Sequence, residues 1–388
     1  MITRRQFLKL SAATIAGLAL PLKWSFDPPV AHAYYQSPGG TTIRKFVQPF
    51  RGVYPLDPNG IPVAAPDAVS APVTGVTHYT IGTQQYTDQL HPSLGPTTLW
   101  GYKPANTLGG SVAQRHLGGI IVAQKDTPIQ LTFTNTLPNQ HILPVDLSNN
   151  FQDVRNKHGG VGYNATVPHL HGGFTPWFSD GGPMMWFTPT GHYGPSIADA
   201  TTNYYKLLNP NLQPNQAEFY YPNTQSARMM WYHDHAHDIT RLNAYAGIAS
   251  AYILRDSFEA GLRSQGLPDF IENGGREIPI VIQDKIFVGS NIRTADPTWP
   301  TTCPDTLGSL WYPHTYEPAR WSLNPGGLPL TDPSVVPEMF GDVMLANGTA
   351  YPEATVETRR YRVRLLNACQ ARFLNLQLYI DDGSADGR

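Results

Sequence analysis

Apolar and polar residues alternate with a period of two at several places along the chain. Ile129, Leu131 and Phe133 are interleaved with Gln130, Thr132 and Thr134. Successive side chains of a strand face opposite ways, so this pattern predicts a half-buried strand. Asn135 to Asn139 supplies the turn chemistry that follows it. Tyr361, Val363 and Leu365 alternate with Arg360, Arg362 and Arg364, which predicts a second half-buried strand. Ala249 to Leu254 and Ile278 to Ile282 are short apolar or β-branched runs, also expected to be strands. Helical periodicity is sparse. Ser257 to Gln265 can form one short surface helix, and residues near Thr240 another turn or two. Strands punctuated by turn signals, with few helices, predict an all-β chain of sandwiches or barrels.

Domain organisation follows from the same pattern. Residues 34–75 read as an N-terminal arm and 76–256 as a first β domain. Asp256 to Arg276 is charged, contains glycine and is interrupted by Pro268, so 257–276 reads as a linker. A second strand-rich block starts near Glu277 and runs to 388. Its interior, Ser290 to Thr331, is rich in Pro, Trp and Thr and reads as loop. No short-period internal repeat is visible.

Composition supports this picture. The 388 residues include 36 Pro and 35 Gly, while charged residues make up only 14%. Such a chain does not build long coiled coils or helical bundles. Its hydrophobic fraction of 41% is enough for a sizeable core. The net charge of −2 argues against a nucleic-acid partner, which calls for a basic excess.

Residues 1–33 carry export chemistry. Thr3-Arg4-Arg5-Gln6-Phe7-Leu8-Lys9 has the form of a twin-arginine signal and precedes an apolar stretch, Leu10 to Leu20. That stretch is too short to span a bilayer stably. Ala31-His32-Ala33 has the small-x-small pattern of a cleavage site. The expectation is a periplasmic or extracellular protein with no membrane association after cleavage. Cys303 and Cys369 are the two cysteines. An oxidising compartment permits a disulfide between them, and the sequence leaves that question open.

Two histidine pairs concentrate the chemistry: His169-Leu170-His171-Gly172-Gly173 and His233-Asp234-His235, with His237 just beyond. On a strand, residues two apart point the same way, so each pair offers two imidazoles to one side. Two such strands side by side offer four, enough for more than one metal ion. Imidazole suits copper, zinc, iron and nickel. A single His-x-His is more often a surface coincidence; two in one domain, each beside an apolar or aromatic run, favour metal. His78, His91, His116, His192 and His314 have no ligand-like spacing and read as ordinary core or surface residues.

The phrases His169-Leu170-His171-Gly172-Gly173-Phe174-Thr175-Pro176 and Trp231-Tyr232-His233-Asp234-His235-Ala236 resemble the first two copper motifs of multicopper oxidases, closest to the bacterial spore-coat laccase and bilirubin oxidase branch. Leu99-Trp100-Gly101-Tyr102, the segment from Thr240 to Gly247, and Tyr361 to Ala368 resemble the same branch. The resemblance implies cupredoxin-like Greek-key β-barrels, one complete and a second incomplete. It implies oxidation of phenolic, tetrapyrrole or metal-ion donors coupled to reduction of dioxygen to water. It further implies copper: His169 on the type 2 ion, and His171, His233 and His235 on the type 3 pair. Asp180 matches an acidic residue that the family places near the cluster for proton delivery; a plain turn aspartate before Gly181-Gly182 is the competing reading. His237 departs from the branch, where an apolar residue is common, and reads as outer-sphere or surface.

The family also has a third domain with a His-Cys-His motif, further His-x-His ligands and usually a Met. Neither cysteine here is flanked by histidine, and His314 is the one histidine after His237. The expectation is therefore an N-terminal portion holding half of the trinuclear ligands and no type 1 site. A C-terminal domain would be needed in cis, and the chain alone would be inactive. A non-catalytic copper-binding cupredoxin from a truncated gene is the alternative. A zinc amidohydrolase, which also uses His-x-His, requires alternating β and α segments that this pattern lacks.

Overall fold

The computed structural model describes residues 35–38, 43–68, 72–73, 75–145, 163–199, 201–270, 275–314 and 339–378. The signal segment at 1–33 and residues 315–331 of the interior loop read at 290–331 lie outside the described residues.

The strands are β1 (Thr77–Asp88), β2 (Thr97–Pro104), β3 (Ile121–Gln124), β4 (Ile129–Asn135), β5 (Pro168–His171), β6 (Gln216–Tyr221), β7 (Arg228–Asp234) and β8 (Ala249–Arg255). They continue as β9 (Glu277–Phe287), β10 (Leu310–Trp311), β11 (Val343–Ala346), β12 (Thr349–Ala350) and β13 (Arg362–Asn367). Short helices intervene: α1 (Tyr204–Leu208), α2 (Thr240–Ala246), α3 (Ser257–Ser264) and α4 (Ile292–Ala295). One sheet has the order β2-β1-β4-β6 and a second the order β3-β8-β7-β5. In both, antiparallel pairs mix with one parallel pair, β1 with β4 and β3 with β8. A third sheet is built on β9, which pairs with β10, β11 and β13.

β4 forms as predicted, but it is buried on both faces rather than half-buried, because Gln130 and Thr132 lie under cover on the side away from the apolar core. Leu131 and Phe133 are fully buried with Ile81 and Leu99 of the same sheet, and they join Leu170, Met230, Tyr232, Tyr252 and Leu254 of the second sheet. Phe133 meets Phe219 edge-on at 5.5 Å between ring centroids. Ala249, Ala251 and Ile253 face the other way, into a smaller cluster with Val53, Ile61, Ile120, Phe270 and Val281. β8 is thus buried on both faces, which is why its sequence is a nearly continuous apolar run, interrupted by Ser250, rather than an alternating one.

β13 corrects the sequence reading. The strand forms, but its burial is inverted: Val363 and Leu365 are exposed, and Arg362 and Arg364 turn inward. The cause is electrostatic. Glu277 on β9 and Glu259 on α3 are both buried, and a buried carboxylate needs a cation and donors. Arg255 reaches Glu277 at 2.6 Å, Arg362 reaches Glu259 at 2.8 Å, and Arg364 contacts both carboxylates. Burial works against ionisation of Glu259, yet Arg362, Arg255 and Arg364 hold its carboxyl below the usual range.

The segment read as a linker is therefore packed against both neighbours. Asp256 caps α3 by accepting from the Glu259 amide at 2.8 Å, and Asp269 pairs with Arg263. Phe270 inserts into the smaller core. The helix near Thr240 forms as α2, and its Tyr245 hydroxyl donates to the Trp311 carbonyl at 2.9 Å and accepts from the Ile286 amide at 2.7 Å. Cys303 and Cys369 are free thiols, with Cys303 buried. Among the described residues, no helix is long and apolar enough to cross a membrane.

Two expected outcomes follow. Glu277→Gln keeps the volume but leaves Arg255 and Arg364 facing a neutral amide. Breaking one partner of a buried pair costs about 3–5 kcal/mol, read as a lower denaturant midpoint at unchanged slope. The second concerns acid. Burial drives the His141 imidazole from 6.5 down to about 4, opposed by its hydrogen bonds to Asn243 and Leu143. Burial also holds His116 well below the ordinary value. The unfolded chain then binds more protons than the native one between these pKa values, so stability must rise with pH across that window. As pH falls from 6.5 towards 4, stability should drop by about 3 kcal/mol through His141 alone, read as a lower thermal unfolding temperature. His78, raised by Glu218 and Asp67 against the effect of burial, contributes with the opposite sign.

Candidate metal centre

The two histidine pairs lie on adjacent antiparallel strands. In the β5–β7 register, His169 stands opposite His233 and His171 opposite Trp231. Leu170 and Tyr232, the intervening pair, point into the core and are 1% exposed. The period of two then forces the imidazoles onto the other face. His235 lies just past β7, tied by its amide to the Val167 carbonyl at 2.8 Å.

All four predicted imidazoles come together. Ring centroids are 4.7 Å apart for His169–His235, 5.5 Å for His171–His233, 5.7 Å for His169–His233 and 5.9 Å for His233–His235. Trp231 stacks on His233 at 4.0 Å and on His171 at 5.4 Å, walling one side.

Backbone carbonyls set the tautomers. His169 Nδ1 donates to the Asp180 carbonyl, His235 Nδ1 to the Gly181 carbonyl at 3.0 Å, and His233 Nδ1 to the Asp234 carbonyl at 2.7 Å. A donor hydrogen bond at Nδ1 leaves Nε2 with its lone pair free for a metal. Burial, reinforced by the neighbouring imidazoles and opposed by the Asp234 carbonyl, pushes His233 down to about 3. Burial likewise lowers His169, against the carbonyl and charge of Asp180. Both rings are therefore neutral at ordinary pH, the form that binds metal.

Gly181 makes this carbonyl platform possible. It adopts φ +73°, and a Cβ there would stand 2.1 Å from the Pro168 carbonyl oxygen and 3.0 Å from the His169 Cα. Only glycine lets the Asp180–Gly181 segment lie across β5 closely enough to receive two ring N–H groups.

The donor set fits a late first-row metal. His171 Nδ1 and His233 Nε2 face each other at 3.2 Å. Two nitrogens each about 2.0 Å from one tetrahedral ion stand roughly 3.3 Å apart, so this separation suits two ligands of one ion. Among the described residues, no three His, Cys, Asp or Glu side chains form a group that could hold a metal ion. Cys303 and Cys369 do not contribute: burial pushes their thiols up to about 11 and about 12, so neither offers a thiolate at neutral pH.

The Asp180 carboxylate lies beside His169 without hydrogen-bonding its ring. Its Oδ1 accepts from Thr175 Oγ1 at 2.9 Å, its Oδ2 is 3.8 Å from His169 Nδ1, and its side chain is 46% exposed. The main-chain oxygen of Asp180 is what holds His169, a contact that residue type does not announce. His237 pairs with Asp238 at 3.0 Å, and its amide donates to the Pro183 carbonyl, away from the ring cluster. Trp231 and Gly181 were missed as site residues. Their signals were present, an aromatic two residues before His233 and a glycine directly after Asp180.

Comparison with known proteins adds the family. Residues 1–21 match the TAT (twin-arginine translocation) pathway signal sequence. The chain is 33% identical over 316 residues to a laccase of Bacillus subtilis (strain 168), covering 80% of this chain and 50% of that protein. It is 33% identical over 304 residues to multicopper oxidase LPR1 homolog 1 of Oryza sativa subsp. japonica, covering 77% of this chain and 41% of that one. The crystal structure of a laccase from Pediococcus acidilactici Pa5930 aligns over 86% of this chain and 47% of its own, at 20% identity and a TM-score of 0.49. The chain spans about half the length of the relatives it matches. The signal sequence directs export by the twin-arginine pathway, and the largely β-stranded chain behind it belongs to the multicopper oxidase family.

Proposed function

We propose that this chain is the N-terminal portion of an exported, laccase-like oxidase. In this reading it couples one-electron oxidation of phenolic, tetrapyrrole or metal-ion donors to reduction of dioxygen to water. Residues 76–256 form its first cupredoxin domain and the strands from 277 onward belong to a second, with the remaining copper ligands in a further domain acting in cis. The observation that carries the reading is the convergence of His169, His171, His233 and His235 from paired strands, with Nδ1 of three rings held by backbone carbonyls so that their Nε2 atoms carry the lone pair.

His169 would hold the type 2 copper, and His171, His233 and His235 the type 3 pair. Bound copper would supply the one-electron redox steps and the site where oxygen is reduced. The chain's own residues do the rest. The carbonyls of Asp180, Gly181 and Asp234 lock three rings in one tautomer and orientation. Trp231 shields His233 from water by stacking on it. Reduction of dioxygen to water consumes protons, and Asp180 would deliver them; its half-exposed carboxylate, 3.8 Å from His169 Nδ1, supports that role. Donor specificity would be set near the type 1 site, outside this chain.

The half-set of ligands makes a definite statement about the chain by itself. It should take up Cu(II) weakly, show no intense blue absorption, and consume no oxygen with a phenolic donor. Cu(II) quenches indole emission at short range, so titration should quench Trp231, and Trp231→Phe should remove that component. His233→Ala should abolish the response. Unchanged quenching in His233→Ala would sink the metal assignment. A strong thiolate-to-copper band in the unaltered chain would sink the half-site reading.

In the oxidase completed with its further domain, Asp180→Asn should lower turnover about 10²- to 10⁴-fold, the usual worth of a proton-transfer group. Copper content and spectrum should stay unchanged. Wild-type oxygen uptake in that variant would return Asp180 to a turn residue.

A further inference from the structure

Asp234, the middle residue of the second motif, points away from the imidazoles and is completely buried. Its two oxygens accept four hydrogen bonds. Oδ1 receives the Thr166 hydroxyl at 2.8 Å and the Val167 amide at 2.9 Å; Oδ2 receives the Ala236 amide at 3.2 Å and the Asn243 side-chain amide at 2.9 Å. No side-chain cation is among these four donors. Burial raises the pKa of Asp234, and the four donors oppose that rise.

The donors are not scattered. Val167 lies two residues before His169, and its own carbonyl accepts from the His235 amide. Ala236 directly follows His235. The carboxylate thus grips the lead-in to the first histidine pair and the exit from the second. Asn243, on α2, closes the arrangement from behind. Its amide also donates to the Ala165 carbonyl at 3.0 Å, and its oxygen faces His141 Nε2 at 3.1 Å. His141 Nδ1 accepts from the Leu143 amide at 2.9 Å, so its proton sits on Nε2 and it donates to Asn243. Trp100 packs on the His141 ring at 4.2 Å. His141, Asn243 and Asp234 therefore form a connected buried chain that ends on the two ligand-bearing segments.

We propose that Asp234, oriented by Asn243 and His141, is a positioning residue that fixes the separation of the two histidine pairs and so sets their affinity for copper. This rests on the metal-centre reading above. The physical reason is the direction of the donors. All four point at one carboxylate, and only an acceptor with two oxygens can take them. An amide in its place would turn an N–H₂ group towards a donor and push one segment away. Ligand orientation set by partners behind the ligands commonly governs metal affinity by about 10- to 100-fold.

The test uses the purified chain, Cu(II) ions, Trp231 quenching and the copper electron paramagnetic resonance spectrum, with thermal unfolding of the metal-free protein measured in parallel. Asp234→Asn should keep the far-ultraviolet circular dichroism of the unaltered chain and bind Cu(II) about 10- to 100-fold more weakly, with altered nitrogen hyperfine structure. Thr166→Val, which removes one donor and keeps the shape, should weaken binding roughly threefold to tenfold. A folded Asp234→Asn that unfolds at lower temperature but binds Cu(II) with unchanged affinity and spectrum would make Asp234 purely structural and overturn the proposal. If Asp234→Asn does not fold, Thr166→Val decides: weaker binding supports the proposal and unchanged binding overturns it. If the unaltered chain and His233→Ala respond to Cu(II) alike, the metal-centre reading itself fails, and the positioning role falls with it.

Discussion

A carboxylate sealed in a protein core is tolerated only where donors surround it, and Asp234 is the point on which this structure turns. Its partners come from the entrance to β5, the turn after β7 and the helix α2. Satisfying one side chain therefore requires three separate stretches of chain to meet in a single arrangement. That arrangement puts His169 across from His233 and brings the His235 amide to the Val167 carbonyl. The fold and the candidate metal centre thus share one constraint. A core that tolerated slippage of β5 against β7 by one residue would send His169 and His171 to the opposite face.

A second buried charge cluster orders the junction after β8. Arg255, Glu259, Glu277, Arg362 and Arg364 draw α3, β9 and β13 together. The guanidiniums occupy the inward face of β13, so Val363 and Leu365 are left outward. On β9 the partly exposed Ile280 and Ile282 line a cavity of about 250 Å³ with Phe46 and Phe50 of the N-terminal arm. The Ile280–Ile282 face of β9 thus borders the arm, while Val281 on the opposite face joins Ala249, Ala251 and Ile253 of β8 in the smaller core.

Histidines without ligand-like spacing found ordinary partners. His116 Nε2 faces the Gln283 amide oxygen at 2.8 Å, and His91 Nε2 donates to the Arg44 carbonyl at 2.9 Å. His78 sits between Asp67 at 2.7 Å and Glu218 at 3.5 Å. These contacts bind arm, sheet and junction to each other, and none lies in the imidazole cluster.

The strand alternation at β4, the nearly continuous run of β8, the short helices and both histidine motifs could be read from local pattern, because period and residue type are local properties. The same pattern indicated that each histidine pair shares a face. What the sequence could not contain is the partner across the sheet. Which carbonyl holds each ring, that Gly181 lies against Pro168 and His169, and that Asp234 gathers four donors all depend on chain segments brought together from a distance. β13 shows the principle in reverse. Its alternation announced a strand correctly, but which face turned inward was decided by two buried carboxylates, one of them more than a hundred residues away. Periodicity distinguishes two faces; tertiary electrostatics chose between them, because leaving Glu259 and Glu277 buried without cations costs more than exposing a valine and a leucine.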